Sequence, residues 1–251
     1  MQTFNLNDLA ISDDGYGSQA PLDNGTTSSD GSVTVYFRNL EQNLLGYIQK
    51  AQMVVGCVAW MTSEGILRAF SQVPHGVSIV VQKEDFLRPD LSSGDNWKTN
   101  LRRQYDSIKK PPYRHAFGGL VGQLSYCSDP TLQPVRCVGN HNESKKPAFP
   151  RMHNKFLVFC DISREASDLD SREESEESDL DSYYVYVKPH TVWTGSFNLT
   201  KNASMSLENA LVLTDSVIVD AYYREWEQIM AISECLDWYQ DWCEPEWRIG
   251  S

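Results

Sequence analysis

The fold is most constrained by the run from Arg151 to Asp161, in which Phe156-Leu157-Val158-Phe159 follows a histidine and a lysine set two residues apart. Successive side chains of a strand alternate between faces, so His153 and Lys155 point the same way if the run is extended. A second run, Val192-Trp193-Thr194, ends in Gly195-Ser196-Phe197-Asn198 and sets Ser196 and Asn198 two apart on one face. A nucleophile or acid, a cation, a hydroxyl and an amide on neighbouring strand ends suit a site that grips a tetrahedral oxyanion. The combination points to phosphoryl chemistry.

Strands alternating with helices surround these two runs. Val33 to Phe37 reads as a strand, and Arg38 to Ala51 spaces Leu40, Leu44, Leu45 and Ile48 as an amphipathic helix. Met53 to Trp60 is continuously apolar, the mark of a strand buried on both faces. Glu64 to Ser71 and Trp97 to Ile108 read as helices, and Val77 to Val81 and Val135 to Val138 as strands, with a loop-rich stretch from Phe117 to Pro134. Tyr183 to Val187 resumes the sheet, Leu207 to Leu213 adds a strand, and Asp215 to Ile232 aligns Val219, Tyr222, Trp226 and Ile229 on one helical stripe. This order predicts an α/β layered sheet with helices on both faces. Residues 1–32 are polar and rich in Gly, Ser, Asp and Thr, and read as a mobile leader ahead of one domain over 33–251.

A hydrophobic content of 41% supports a packed core, and no apolar run approaches the length of a membrane span. The first 32 residues lack the basic start and apolar centre of a signal peptide, and the six cysteines have no framework spacing. The expectation is a cytoplasmic protein with reduced thiols. Cys127, Cys137 and His141 match no standard zinc spacing and lack an evident fourth ligand, so no metal and no cofactor is expected.

The net charge of −12 is distributed unevenly. Between Asp161 and Asp181 ten acidic residues face only Arg164 and Arg172, which concentrates −8 there and leaves −4 elsewhere. Ser167-Asp168-Leu169-Asp170-Ser171 recurs as Ser178-Asp179-Leu180-Asp181-Ser182, and a tract this acidic cannot bury a core. Residues 163–182 therefore read as an acidic surface loop that solubilises the chain, or else mimics nucleic acid and screens the site or recruits a basic partner. Conversely, Lys98, Arg102, Arg103, Lys109, Lys110 and Arg114 face only Asp106, a local +5 interleaved with Trp97, Tyr105 and Tyr113. This is a candidate phosphate-binding patch, or a solvated helix face anchored by its aromatics.

His153-x-Lys155 followed by Gly195-Ser196-x-Asn198 resembles the HKD signature of the phospholipase D superfamily, which includes phospholipases, transferases and small nucleases. The pattern departs at its third letter, where Cys160 stands in the family's Asp position and Asp161 follows one residue later. Glu208, in Ser206-Leu207-Glu208-Asn209, resembles the acidic position after the motif. The family usually joins the two motif strands by a tight turn; here 43 residues separate His153 from Ser196, so the acidic tract fits as an insertion in that hairpin.

The resemblance implies a phospholipase D-like layered sheet with one HKD motif per chain. It implies His153 as a nucleophile that forms a phosphohistidine, with Lys155, Ser196 and Asn198 holding the non-bridging oxygens. It implies that Glu208 accepts from the other ring nitrogen of His153, and that no metal is needed because Lys155 supplies the positive charge. A full site of the family uses two motifs. His75, His115, His141 and His190 are followed two residues on by Val77, Phe117, Glu143 and Val192, so none completes a second one. Single-motif members pair as homodimers, which implies a composite site in which a second His153 serves as general acid. The expected function is a metal-independent nuclease acting on DNA or RNA. A phospholipid hydrolase or transferase is disfavoured by the lack of a basic amphipathic surface helix, and a catalytically quiet nucleic-acid- or protein-binding module is the other alternative.

Overall fold

A computed structural model describes residues 5–8, 25–87, 96–111, 114–126, 133–141, 150–166, 183–238 and 247–248. In chain order its elements are β1 (Thr26–Thr27), β2 (Val33–Tyr36), α1 (Leu40–Ile48), β3 (Met53–Val58), α2 (Glu64–Ser71), β4 (Val77–Gln82), α3 (Asn96–Asp106), α4 (Leu120–Gln123), β5 (Ser125–Tyr126), β6 (Val135–Val138), β7 (Lys155–Ala166), β8 (Tyr183–Gly195), β9 (Ala210–Leu213), α5 (Ser216–Ala231) and β10 (Trp247–Arg248). Eight strands form one sheet in the order β1-β2-β9-β8-β7-β3-β4-β6, and β10 pairs separately with β5. β3, β4 and β6 run parallel; the pairs from β3–β7 outwards to β1 are antiparallel.

Every residue of β3 and β4 is buried, as befits central strands covered on both faces. Their side chains divide by parity. Val54 and Val58 pack with Leu44 of α1, Ile66 and Phe70 of α2 and Tyr105 of α3. Met53, Val55 and Cys57 pack with Val121 of α4 and Tyr223 and Trp226 of α5. The predicted α/β sheet with helices on both faces is therefore found. β7 obeys the same division, with Leu157 and Phe159 on the α1–α3 side and Phe156, Val158 and Cys160 on the α5 side. Lys155 shares the parity of Leu157, so its side chain leaves the sheet on the α1–α3 face. β3 and β7 approach closely at Gly56, where a Cβ would lie 2.3 Å from the Phe156 carbonyl oxygen.

Three boundaries differ from expectation. Residues 1–32 are not uniformly a mobile leader: β1 pairs with β2, and Asn7 Nδ2 donates to the carbonyls of Ser204 (2.9 Å) and Ser206 (3.2 Å). Polar composition suggested mobility, but those polar groups satisfy one another locally. Asp30 accepts from Ser28 Oγ (2.5 Å), Ser32 N (3.1 Å) and Ser32 Oγ (2.9 Å), and these bonds lower its pKa to about 2. Within the insertion assigned to 163–182, residues 163–166 continue β7; residues 167–182 lie outside the described residues. The strand expected from Leu207 begins at Ala210, because the segment before it wraps around Ser196.

Candidate active site

The β7–β8 pairing sets Phe156 opposite Thr194, and the β8–β9 pairing sets Gly195 opposite Ala210. The start of β7, the end of β8 and the start of β9 therefore meet at one end of the sheet, beside the carboxyl end of β3. His153 lies just before β7, two residues short of its first strand residue, Lys155, and not within the strand as expected. Its backbone is held from both sides: Met152 N donates to Gln82 Oε1 (2.7 Å), and Ala59 N donates to the Asn154 carbonyl (2.9 Å).

The His153 side chain is exposed and that of Lys155 is half-buried. Lys155 Nζ lies 3.2 Å from His153 Nδ1 and 3.3 Å from Nε2, and donates to the His153 carbonyl at 3.0 Å. Partial burial, then the charges of Lys155 and Arg151, hold the His153 pKa below the ordinary histidine value. The neutral imidazole, the form with a free lone pair, is thereby favoured. Burial also lowers the pKa of Lys155, while the Glu208 carboxylate opposes that shift.

Ser196 and Glu208 come together directly, with Ser196 Oγ donating to Glu208 Oε2. Ser196 Oγ also accepts from Asn209 N (3.0 Å), and Ser196 N donates to the Asn209 carbonyl (3.1 Å). Glu208, expected to accept from the His153 ring, here accepts from Ser196 Oγ through one carboxylate oxygen, because β8–β9 pairing brings residues 196 and 208 side by side. Gly195 explains the small residue of the motif: at φ 154° a Cβ there would lie 2.3 Å from the Asn209 carbonyl oxygen. Asn198 Oδ1 is buried without a hydrogen-bond partner among the described residues. The departure at the third letter does not reach the site: Cys160 is buried under α5, and Asp161 lies 3.8 Å from His190.

The sequence reading missed three supports of this arrangement. Buried Gln82 joins β4 to the His153 segment and also donates to the carbonyls of Lys83 and Asn140, both at 2.8 Å. Gly139 makes room for it, since a Cβ there would lie 2.5 Å from Gln82 Oε1. Trp60 meets the His153 ring edge-on, at 5.4 Å between centroids and 77° between planes, and its Nε1 donates to Glu84 Oε1 (2.8 Å). Glu41 of α1 accepts from Ser63 Oγ (2.8 Å) and from Ser204 Oγ, tying α1 to the segment that leads to Glu208. A single glycine or tryptophan carries no signal of such a contact in the sequence.

The six basic residues expected to bind phosphate do not share one surface facing His153. Lys109 Nζ donates to the Pro74 carbonyl, and the Lys109 carbonyl accepts from Val77 N (3.0 Å). The end of α3 therefore sits at the start of β4, while the site lies at the other end of the sheet, roughly 17 Å of strand away. Lys110 follows at that far end. Arg102 is engaged internally by the Leu236 carbonyl (3.0 Å) and the Asp237 carboxylate. Arg103 is exposed, and the Arg114 side chain lies outside the described residues. Lys98 lies beside the Trp97 ring (5.9 Å), and Trp97 in turn packs on Phe86 just beyond β4, at the site's end of the sheet. Tyr105 cannot stack on bases, being buried with its hydroxyl donating to the Met61 carbonyl (2.6 Å).

Among the described residues no three His, Cys, Asp or Glu side chains gather as a metal site, and Cys127 of the weighed zinc cluster lies outside them. No described helix is long and apolar enough to cross a membrane.

No protein-family model matches the chain. It is 31% identical over 223 residues to the uncharacterized protein L381 of Acanthamoeba polyphaga mimivirus, covering 84% of this chain and 69% of that one. Among solved structures it is similar to Nuc of Salmonella typhimurium, a phospholipase D family member, with a TM-score of 0.46 and 16% identity over 83% of this chain and 99% of that one. It is also similar to NucT of Helicobacter pylori, with a TM-score of 0.46 and 15% identity over 80% of this chain and 96% of that one.

Proposed function

We propose that this chain, which belongs to one family with the mimivirus protein L381 and is phospholipase D-like in its motif and layered sheet, is a metal-independent phosphodiesterase that cleaves nucleic acid. The observation that carries this reading is the meeting of His153, Lys155, Ser196 and Glu208 at one open end of the sheet. His153 and Ser196 are exposed there, and an open site suits a diester bond within a polymer.

In this reading a nitrogen of neutral His153 attacks phosphorus, a P–N bond forms and the P–O bond to the leaving group breaks. Lys155 and the Asn198 amide hold the non-bridging oxygens as charge develops on them. Glu208 and Ser196 hold each other, and the carboxylate steadies the Lys155 charge. The leaving oxygen takes its proton from His153 of a second copy across a two-fold axis. That histidine then removes a proton from water, which displaces the enzyme nitrogen and releases the phosphomonoester. A phospholipid diester would meet the same chemistry. Trp97 and Lys98 at the site's end of the sheet favour a nucleic acid, offering a stacking face beside a cation.

The test is cleavage of single- and double-stranded DNA and RNA in excess EDTA, with wild type beside His153→Ala. Wild-type cleavage that survives the chelator and falls by about 10³-fold or more in the variant is the expected result. Equal cutting by the variant, or cutting only with added metal, overturns the mechanism; cleavage of lipid diesters alone overturns the substrate class.

A further inference from the structure

In-line attack on phosphorus needs the His153 ring in a defined plane, and the backbone bonds on either side of His153 hold its chain without fixing that plane. Among the described residues, Lys155 and Trp60 reach its ring. Lys155 Nζ lies nearly equidistant from both ring nitrogens, at 3.2 and 3.3 Å, so it supplies charge without choosing an orientation. Trp60 is different in kind. Its ring stands edge-on to the imidazole at 5.4 Å and 77°, a geometry in which aromatic quadrupoles attract and rotation of either ring breaks the contact.

Trp60 is itself immobilised at three points. Its backbone follows β3, its carbonyl accepts from Leu199 N (3.1 Å), and its indole N–H donates to Glu84 Oε1 (2.8 Å). The Leu199 contact matters because Leu199 adjoins Asn198, so one residue touches both halves of the site. Glu84 comes from the chain just after β4, so its bond to the indole joins the end of β3 to the end of β4. A half-buried indole that spends its N–H on a carboxylate has a fixed plane, and a charge-assisted bond of this kind is stronger than a neutral one.

We propose that Trp60, anchored by Glu84, is a positioning residue that sets the plane of the His153 imidazole for in-line attack. Trp60 stands against the ring, and partial burial acts with the charges of Lys155 and Arg151 to keep the imidazole neutral. Among the described residues, the charged groups facing the pair are Lys155 and Arg151 on the histidine's own segment, Glu84 on the indole N–H, and Glu208, whose charge is felt at Lys155. The proposal rests on the phosphodiesterase reading for its catalytic consequence, while its structural content is independent of that reading.

The experiment compares Trp60→Phe, Glu84→Ala, Glu84→Gln and the double variant Trp60→Phe/Glu84→Ala with wild type. Diester cleavage is measured alongside the His153 ring titration by NMR, with His153→Ala identifying the signal. Trp60→Phe keeps an aromatic ring but loses the N–H; Glu84→Gln keeps an acceptor oxygen. The expected result is a kcat about tenfold lower in Trp60→Phe and in Glu84→Ala, with KM little changed. Near wild-type kcat is expected in Glu84→Gln, and the double variant should be no worse than Trp60→Phe alone, because both single changes break one bond. A ring released from this contact is better solvated, so the His153 titration should lie higher in Trp60→Phe than in wild type, and higher in Glu84→Ala than in Glu84→Gln, which has lost the same charge.

Additive losses, no rescue by Glu84→Gln, or a His153 titration no higher in Glu84→Ala than in Glu84→Gln would overturn the positioning role. If wild type cleaves no diester, the proposed function fails, and the titration still decides whether Trp60 and Glu84 govern the ring. Urea midpoints of the variants identify any that fail to fold, and Glu84→Gln against Glu84→Ala then carries the comparison.

Discussion

Single residues at this site are set by neighbours far away in sequence. Lys83 is fully buried, where it pairs with Glu234 and lies 5.1 Å from the Trp238 ring centre. The pair ties the end of β4, just after Gln82, to the chain beyond α5. Breaking a buried pair of this kind by removing one member costs more than the pair itself contributes. Lys83→Met should therefore lower stability by about 3–5 kcal/mol in urea unfolding, and Lys83→Met/Glu234→Leu should recover much of the loss. An equal loss in both variants would show that packing, not charge, dominates at this position.

At the scale of elements, the site is a product of strand pairing. β8 must lie close to β9 for Ser196 to reach Glu208, and Gly195 is the residue that permits it. In Gly195→Ala the new Cβ would lie 2.3 Å from the Asn209 carbonyl oxygen and 2.8 Å from Ala210 Cα. Both are backbone atoms, so the strands must part and no side chain can yield instead. A displacement near 1 Å at reacting groups is worth on the order of 10²-fold in rate. Gly195→Ala should thus lose about that much kcat while circular dichroism still reports a folded α/β chain. Retention of full activity would mean that the contact between Ser196 and Glu208 does not matter to the reaction.

For the whole molecule, the proposed mechanism makes assembly part of the chemistry, because each chain carries one motif. If the acid and the nucleophile are two copies of His153, a mixed dimer with one His153→Ala chain lacks one of them. Co-expressing wild type with His153→Ala at varied ratios should make activity fall as the square of the wild-type fraction. A linear fall would assign a complete site to each chain, and a second proton donor would then have to be found within it. Light scattering on the same samples reports whether mixing occurred.

The sequence by itself determined the alternation of strands and helices, the buried runs of β3, β4 and β7, and the residues of the motif. Each of these is local: side-chain parity, helical spacing and a pattern of adjacent residues survive in one dimension. The first-turn signal of α5 is of the same kind, with Asp215 accepting from Val217 N (3.0 Å) and Ile218 N (3.1 Å). Contacts between distant segments were decided only by the tertiary structure. The run of basic residues on α3 looked like one patch, but the helix axis carries Lys109 and Lys110 to the far end of the sheet and presents Arg102 to Asp237. Glu208 was matched to the histidine by its place after the motif, and β8–β9 register gave it to Ser196. Trp60 and Glu84 had no pattern at all, since their meeting with each other and with His153 requires the ends of β3, β4 and β7 to converge. Periodicity states which face a side chain leaves from, and only packing states what it finds there.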